Sequence, residues 1–495
     1  MRKKAGLFPS EPLRFLFACL AAFLSLAVCS KSSFLYPMND WVDVHCFFTV
    51  GRGILHGLTP YRDLYEQKGP LVYFLYAAAA GISESSFAGV FLLEGLCFGC
   101  FVYLGGRLAE TLSSLRGAYW PAAAALAVLV PLSPAFSHGS SAEEFFLPVL
   151  TLGLWIVLRA MQEKRPLTDR QGLILGLCAA AALWTKYTFC GLFAGLALAV
   201  ILWYALDGMA RHLPRLIGFF LLGLAALSAL VAAWFYCRGA LPDLWQAYFV
   251  NNLSQYAHNI RSGAYDPPLK NLLNNLTWSL PGALGLLWLL ATGKQHAREA
   301  AACLLGAVCL FVFTYLNGRR YPYYALVLSV FAPLGLAAVC AGIRRVLPAQ
   351  AGRRALAAAV TAALILGSPL LTLRASPNTY LMRTDKADLP PYRFARIIRQ
   401  AEDQTLLNYG FLDGGFYFAA GVTPASPYFC TLNIDLPAMN QALQNSIRNG
   451  ETAFVVTRQT QLKDTRHYRL VDECSQVFEG RVWHYYLYQR VTEIP

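Results

Sequence analysis

Long runs of apolar residues recur along the whole chain, and they constrain its fold more than any other feature. A helix needs about 17 to 25 mostly apolar residues to cross a bilayer. About eleven segments approach that requirement, and we predict a span near each of 13–30, 86–106, 118–134, 145–160, 171–184, 188–206, 216–236, 276–292, 300–316, 323–342 and 355–373. With 56% hydrophobic and only 14% charged residues among 495, the chain is too apolar for a soluble protein. The sequence therefore predicts a polytopic α-helical membrane protein.

The positions of Lys and Arg predict its orientation, because short cytoplasmic loops carry an excess of both. The loops on the N-terminal side hold most of the basic residues before position 376, including Arg2, Lys3, Lys4, Lys164, Arg165, Arg344, Arg345, Arg353 and Arg354. We expect a plasma (inner) membrane protein with a cytoplasmic N-terminus and, after an odd number of spans, an extracytoplasmic C-terminal tail. The net charge of +13 lies at the membrane edges, since residues 376–495 carry twelve basic and twelve acidic residues. This distribution favours membrane lipids as partners and excludes nucleic acid.

The hydrophobic pattern changes after about residue 376. Short alternating runs predict strands at TLLNY, GFYFAA, AFVVTR, HYRLV, SQVFE and VWHYYLYQ, and longer periodic runs predict helices at YRFARIIRQAE and LPAMNQALQNSIRNG. We therefore predict a transmembrane domain at 1–375 with an outer loop at 31–80, and a small extracytoplasmic α/β domain at 376–495. A disulfide between Cys430 and Cys474 in that domain is one option, which nothing in the sequence requires.

Charged residues cluster in the stretch from Asn39 to Tyr76, between the first hydrophobic run and the next. The cluster contains Asp40, Asp43, Asp63, Glu66, Arg52, Arg62 and Lys68. Apolar residues after Asp43 recur every three or four positions, which predicts an amphipathic helix lying on the membrane, with Asn39 or Asp40 as its N-cap. KGPL opens a second helix with Pro70 in its first turn. Lys68 then stands just ahead of a helix N-terminus, where the dipole and free N–H groups favour a phosphate.

This chemistry suits transfer of a sugar from a lipid-phosphate donor at the outer face. Asp43 is the expected general base, with Asp40 as a second catalytic candidate. Lys68 and Arg62 are candidates for holding the donor phosphate, and so are Arg319 and Arg320, because guanidinium groups bind phosphate oxygens bidentately. Asp63 and Glu66 are further site candidates. The alternative for Asp43 is that it only stabilises the first turn of its helix.

Other candidates lie outside this stretch. Glu143 and Glu144 begin a predicted span, where they either complement the helix dipole or bind the acceptor, and His138 precedes them. Lys186 lies at a tight turn between two spans, where it either snorkels to the interface or contacts a lipid phosphate. Tyr323 and Tyr324 suit interfacial anchors or a wall of the site.

One sequence pattern resembles a known family. An Asp followed after eight residues by Gly, and then G-x-x-PYRD-x-x-x-x-KGPL-x-YF, resembles the first outer loop of the GT-C superfamily of polyprenyl-phosphate-sugar glycosyltransferases. The matching residues are Asp43, Gly51, Gly57, Pro60, Tyr61, Asp63, Lys68, Gly69, Pro70, Leu71 and Tyr73. The pattern is most similar to the bacterial group related to protein mannosyltransferases, lipid A aminoarabinose transferases and Rgt-type lipopolysaccharide transferases.

The resemblance implies a catalytic carboxylate at Asp43, a lipid-phosphate contact at Lys68, a polyprenyl-phosphate sugar as donor, and a glycan, lipid or protein as acceptor. Many relatives have a second acidic residue after the catalytic Asp or a Pro-Pro pair after the Lys, whereas this chain has Val44 and a single Gly-Pro. The subfamily therefore stays open, and so do the sugar and the acceptor. Relatives differ in their use of metal, so a divalent ion is left unassigned and no other cofactor is expected.

A transporter or flippase for a lipid-linked or small solute is the alternative class. Transporters tend to place ionisable residues near the membrane midplane on broken helices. Here the charged residues crowd the predicted outer rim, which favours the enzyme.

Overall fold

The computed structural model describes residues 10–256, 268–316, 321–347 and 349–491, and most of them are helical. The helices are α1 (Glu11–Cys29), α2 (Val42–Leu55), α3 (Pro70–Ile82), α4 (Ala88–Ser113), α5 (Tyr119–Leu129), α6 (Ala142–Gln162), α7 (Asp169–Thr185), α8 (Cys190–Leu206), α9 (Leu213–Cys237), α10 (Leu241–Leu244), α11 (Pro268–Ala291), α12 (Ala297–Tyr315), α13 (Ala332–Val346), α14 (Gln350–Ala375), α15 (Pro390–Ile398), α16 (Phe416–Ala420) and α17 (Pro437–Asn449). A π-helix at Trp245–Tyr256 and a 3-10 helix at Pro322–Phe331 complete the longer elements.

Eight helical stretches of the described chain are long and apolar enough to cross a bilayer. They are Glu11–Cys29, Ala88–Ser113, Ala142–Gln162, Tyr187–Leu206, Ala210–Cys237, Ala297–Tyr315, Pro322–Val346 and Gln350–Ala375, and each coincides with a predicted span. The predicted spans 118–134, 171–184 and 276–292 fall on α5, α7 and the end of α11, which are not among these eight. The multi-pass helical class is therefore confirmed, whereas the number eleven stays a prediction.

The chain divides into two compact units. The first contains Met1–Ser30, Leu93–Leu227 and Asp266–Pro377. It is built from the long apolar helices, which approach closely where their side chains are small. A Cβ on Gly195 of α8 would lie 2.3 Å from the carbonyl oxygen of Leu305 in α12, so only glycine allows this contact.

The second unit contains Lys31–Leu92, Ser228–Tyr265 and Asn378–Pro495. Its last segment begins next to the predicted domain boundary at 375/376. The loop predicted at 31–80 groups with that segment in this unit. The two-domain division drawn from the sequence stays a prediction.

The C-terminal segment holds a four-stranded sheet. Its strands are β1 (Leu406–Tyr409), β2 (Phe454–Arg458), β3 (Tyr468–Phe478) and β4 (Arg481–Arg490), in the order β1-β2-β4-β3. β1 pairs parallel with β2, and the other two pairs are antiparallel. The predicted strands HYRLV and SQVFE are one strand, β3, with a register shift between Leu470 and Asp472.

The strand predicted at GFYFAA is wrong, because these residues form the short helix α16. The helix is flanked by Gly415 at φ 89° and Gly421 at φ 76°, and its five residues are all buried. A short apolar run buried on every side has no alternation that would distinguish a strand from a helix. The two predicted helices of this segment are confirmed as α15 and α17, and α17 ends at the left-handed Gly450 as expected.

Cys430 and Cys474 do not form a disulfide. Cys430 is buried and its thiol interacts with that of Cys46 in α2, while the Cys474 thiol donates to the carbonyl oxygen of Asp388 at 3.7 Å. All thirteen cysteines carry free thiols. The structure therefore gives Cys430 a different neighbour from the one that the sequence suggested.

Candidate active site

Helix α2 begins at Val42 and carries Asp43 in its first turn, where the side chain is partly exposed. Neither predicted cap is used, because the N-cap position is Trp41 and no side chain caps the helix. Asn39 instead accepts a hydrogen bond from the backbone N–H of Trp41 at 3.1 Å and donates to Ser32 at 3.0 Å.

α2 is not a surface helix with one solvent-exposed face, because its ten residues from Val44 to Gly53 are all buried. Its polar side chains face the C-terminal segment of the same unit. Thr49 donates to Asp413 Oδ2 at 2.6 Å, and Arg52 donates to the backbone carbonyl of Val422. The polar residues predicted along one face of α2 are present, but they contact protein rather than water.

Asp40 is held in a buried network of its own unit. Lys31 Nζ lies 2.7 Å from Asp40 Oδ1, while Tyr380 and Gln476 both donate to Asp40 Oδ2 at 3.1 Å. The Lys31 ammonium also lies 4.8 Å from the centre of the Phe478 ring. These contacts join the stretch before α2 to the C-terminal segment, and nothing in the sequence pointed to Lys31.

Arg62 and Asp63 form a local ion pair in the PYRD turn. Arg62 donates through Nε and Nη2 to the two carboxylate oxygens of Asp63 at 3.0 Å each, and through Nη1 to the carbonyl of Arg238 at 2.6 Å. These hydrogen bonds lower the pKa of Asp63, which also accepts from the backbone N–H of Thr59 at 2.8 Å. Tyr61 precedes them in a left-handed conformation, with φ 71°. Both charged side chains therefore help to fix the turn.

The KGPL segment starts α3 as predicted, with Gly69 as N-cap and Pro70 at the first helical position. Buried Glu66 accepts from the Lys68 backbone N–H at 2.9 Å and from the Tyr73 hydroxyl, and Tyr61 donates to the Lys68 carbonyl at 2.6 Å. Burial raises the pKa of Tyr73 well above its usual value, so its hydroxyl keeps its proton. These hydrogen bonds hold the backbone at Lys68. The Lys68 side chain is half-buried, and its Nζ lies 5.7 Å from the centre of the Phe47 ring.

α2 and α3 run side by side in the same direction. Lys68, just ahead of α3, lies beside Phe47 in the first half of α2, and His56, just after α2, lies 2.9 Å from Glu84, two residues after the end of α3. Both helices therefore start at the same end of the pair. Asn252 of the π-helix adds a bond to the segment before α3, donating to the Gln67 carbonyl at 2.7 Å.

A second group of candidates meets in the unit of long helices. Lys186 Nζ lies 2.5 Å from Glu143 Oε1, and both side chains are buried. The same ammonium sits 3.4 Å from the centre of the Tyr324 ring and 5.9 Å from that of Tyr323. Snorkelling does not describe this lysine, because its charge is paired inside the protein rather than directed to the interface.

Glu144 faces away from this pair into a different buried network, with a residue that sequence reasoning missed. Ser140 N–H donates to Glu144 Oε2 at 2.7 Å and to Glu94 Oε1 at 2.8 Å, and Ser30 donates to Glu94 Oε2 at 2.7 Å. A glutamate inside the long apolar run 86–106 was the available signal, since buried charged residues in spans are rarely incidental.

Among the described residues, the structure thus gathers the candidates into separate groups. In one unit, Asp43, Lys68, Glu66, Arg62 and Asp63 lie on and between α2 and α3, with Asp40 just before α2. In the other, Glu143, Lys186, Tyr323 and Tyr324 form one cluster, Glu144 belongs to the Glu94 network, and His138 is buried. Arg319 and Arg320 lie outside the described residues. In the described part of the chain, no three His, Cys, Asp or Glu side chains are grouped as a metal site would require.

Taken together, the long apolar helices and the small C-terminal sheet define the class: the chain has the fold of the GT-C membrane glycosyltransferases, as the first-loop pattern suggested. ArnT from Cupriavidus metallidurans resembles it over nearly the full length. The structure of ArnT bound to undecaprenyl phosphate matches with a TM-score of 0.55 and 16% identity over 98% of both chains. The apo structure gives 0.58 and 15% over 97% of both chains.

The arabinofuranosyltransferase AftD from Mycobacteria, solved by cryo-electron microscopy, also matches. Its TM-score is 0.52 at 14% identity, covering 98% of this chain and 40% of AftD. No family model matches the sequence, and no curated protein sequence does. The similarity is therefore one of fold.

Proposed function

We propose that this protein is an integral membrane glycosyltransferase that moves a sugar from a polyprenyl-phosphate donor to a hydroxyl acceptor, with Asp43 as general base and Lys68 holding the donor phosphate. The reaction takes place at the extracytoplasmic face, in the orientation that the basic loops favour. The fold shared with ArnT, which was solved with undecaprenyl phosphate, supports a lipid-phosphate donor.

One observation carries this proposal. α2 and α3 start at the same end of a parallel pair, and Lys68 Nζ reaches the ring of Phe47, one helical turn beyond Asp43. The Lys68 ammonium thus lies beside the helix that carries Asp43 in its first turn. The N-terminal end of the α3 dipole adds to the positive potential there, which suits a phosphate.

The chemistry follows from these two groups. The Asp43 carboxylate takes the proton from the acceptor hydroxyl while that oxygen attacks the anomeric carbon. The bond between the anomeric carbon and the phosphate oxygen breaks on the opposite face, so the configuration inverts. Lys68 stabilises the negative charge that develops on the departing lipid phosphate.

The contacts of the other charged residues in this stretch favour supporting roles. Lys31, Tyr380 and Gln476 hold Asp40, Arg62 pairs with Asp63, and Glu66 holds the turn before α3. Asp43 is therefore a better candidate for the base than Asp40. Arg319 and Arg320 stay candidates for phosphate binding, and Glu143 with Lys186 for contact with donor or acceptor.

Replacing Asp43 by Asn tests the base. We expect normal membrane insertion and donor binding but a loss of transfer of at least about 100-fold, the range usual for removal of a general base. Asp464→Asn in the C-terminal segment is the matched control, because Asp464 forms an exposed ion pair with nearby Arg466. Full transfer from a polyprenyl-phosphate sugar by Asp43→Asn would exclude Asp43 as base.

Replacing Lys68 by Ala tests the phosphate contact. We expect weaker donor binding with unchanged stability, measured with polyprenyl phosphate itself as competitor. Unchanged affinity in Lys68→Ala would remove this role.

The alternative class, a transporter, would be favoured if a lipid-linked solute moved across the vesicle membrane with no sugar transferred.

A further inference from the structure

Two carboxyl groups meet in the interior of the long-helix unit, and no cation of the described residues pairs with them. Glu94 in α4 and Glu144 in α6 are both 0% exposed. The single backbone N–H of Ser140 lies 2.8 Å from Glu94 Oε1 and 2.7 Å from Glu144 Oε2, so the two carboxyl groups adjoin each other.

The two carboxyl groups are not expected to be ionised at the same time. Neither glutamate forms an ion pair with any Lys, Arg or His of the described residues, in contrast to Glu143, which pairs with Lys186. The other titratable groups that face them are the thiols of Cys29 in α1 and Cys97 in α4. Two ionised carboxylates without water or a cation are strongly unfavourable at such a distance, whereas one proton between them removes most of the penalty.

We propose that Glu94 and Glu144 share one proton, and that this acid pair positions the start of α6. The carboxylic acid of one residue donates to the carboxylate of the other. Glu144 Oε1 is buried and accepts no hydrogen bond from any other described residue, which leaves it available for this contact.

The pair links three parts of the chain. Glu94 Oε2 accepts from Ser30, just after α1, and Oε1 accepts from Ser140, just before α6. Gly139 fits between them at φ 82°, and a Cβ there would lie 2.5 Å from Ser30 Oγ and 2.7 Å from Glu94 Oε1. Such tight packing fixes the backbone that leads into α6.

The position of α6 in turn sets that of Glu143. Glu143 is adjacent to Glu144 in the first turn and pairs instead with Lys186, whose ammonium lies over the Tyr324 ring. Glu94 would then act on the reaction only through this placement. This part of the inference rests on the proposed function, whereas the shared proton does not.

Infrared spectroscopy of the full-length protein tests the shared proton directly. A protonated carboxyl group has a C=O stretch above the amide I band that shifts in D2O. We expect such a band at neutral pH in the wild type and its loss in both Glu94→Gln and Glu144→Gln, because the remaining glutamate is then ionised and accepts from the amide. Glu110→Gln is the control that keeps the band, since Glu110 pairs with Arg14 at 2.7 Å. A wild type without the band, or a band that survives in both variants, would overturn the proposal.

Steady-state transfer assays test the positioning role. We expect Glu94→Ala to lower kcat by about 10- to 100-fold, because a displacement of about 1 Å has effects of that order, and Glu94→Gln to restore most of it. Equal activity of Glu94→Ala and wild type would exclude the role. A wild type that shows no transfer would contradict the proposed function and leave the infrared result intact.

Discussion

Lys31 and Asp40 form an ion pair in which Nζ and Oδ1 are 2.7 Å apart and both side chains are almost fully buried. Tyr380 and Gln476, more than 300 residues later in the chain, complete the coordination of Asp40. The first loop and the C-terminal segment are therefore held together by charge as well as by apolar contact.

Replacing Lys31 by Met is expected to destabilise the protein by about 3 to 5 kcal/mol, because it leaves the buried Asp40 carboxylate unpaired. The double variant Lys31→Met with Asp40→Leu should recover most of that loss. Thermal unfolding in detergent measures both. Arg466→Ala, which breaks the exposed pair with Asp464, should cost at most about 1 kcal/mol. Equal effects of the two single changes would contradict the buried pair.

Gly51 sets the distance between α2 and α3. A Cβ at this position would lie 2.6 Å from the backbone carbonyl carbon of Tyr76, so Gly51→Ala must push the helices apart. We expect a loss of about 1 to 3 kcal/mol and a lower transfer rate, because the starts of both helices move. Gly81→Ala in α3 is the control: no atom lies within 4 Å of its Cβ, and it should be neutral or slightly stabilising. Unchanged stability and transfer in Gly51→Ala would show that the helices can separate without consequence.

His45 makes stability depend on pH. It is fully buried in α2, between the rings of Phe87 and Phe418 at 5.3 and 5.8 Å. Burial lowers the pKa of His45 below its ordinary value of 6.5, although Asp413 opposes the shift. The unfolded chain then binds the proton more readily, so stability is full above pH 6.5 and is lost as pH falls below it, by at most about 1.4 kcal/mol per pH unit.

The variant His45→Phe removes this titration. Its melting temperature should fall less than that of the wild type between about pH 7 and pH 5, where histidine normally titrates. Parallel pH profiles for the two proteins would show that His45 titrates alike in the folded and unfolded states.

Cys46 and Cys430 are expected to resist alkylation in the folded protein. Both are buried, and burial raises the pKa of each thiol, so little reactive thiolate is present at neutral pH. Cys474 is only partly buried and should react before both of them. Peptide mapping after labelling, with a denatured sample as reference, measures the order. Rapid labelling of Cys46 before Cys474 would contradict the packing of α2 against the C-terminal segment.

The sequence alone determined the features that depend on local pattern. The length of the apolar runs predicted the membrane helices. Gly69 and Pro70 predicted the start of α3, and Gly450 predicted the end of α17. The spacing of Asp43, the PYRD turn and Lys68 led to the GT-C fold. Each of these signals is carried by residues close together in the chain, where helix geometry and turn chemistry act.

Only the tertiary structure decided which charges meet. The pairing of Lys31 with Tyr380, of Glu143 with Lys186, and of Glu94 with Glu144 joins residues between 43 and 349 positions apart. It also decided that protein covers the polar face of α2. GFYFAA is a helix, which the sequence did not predict, because a segment buried on every side lacks the alternation that distinguishes a strand from a helix. The apolar pattern specifies how much of a segment is buried, whereas its neighbours follow only from how the whole chain packs.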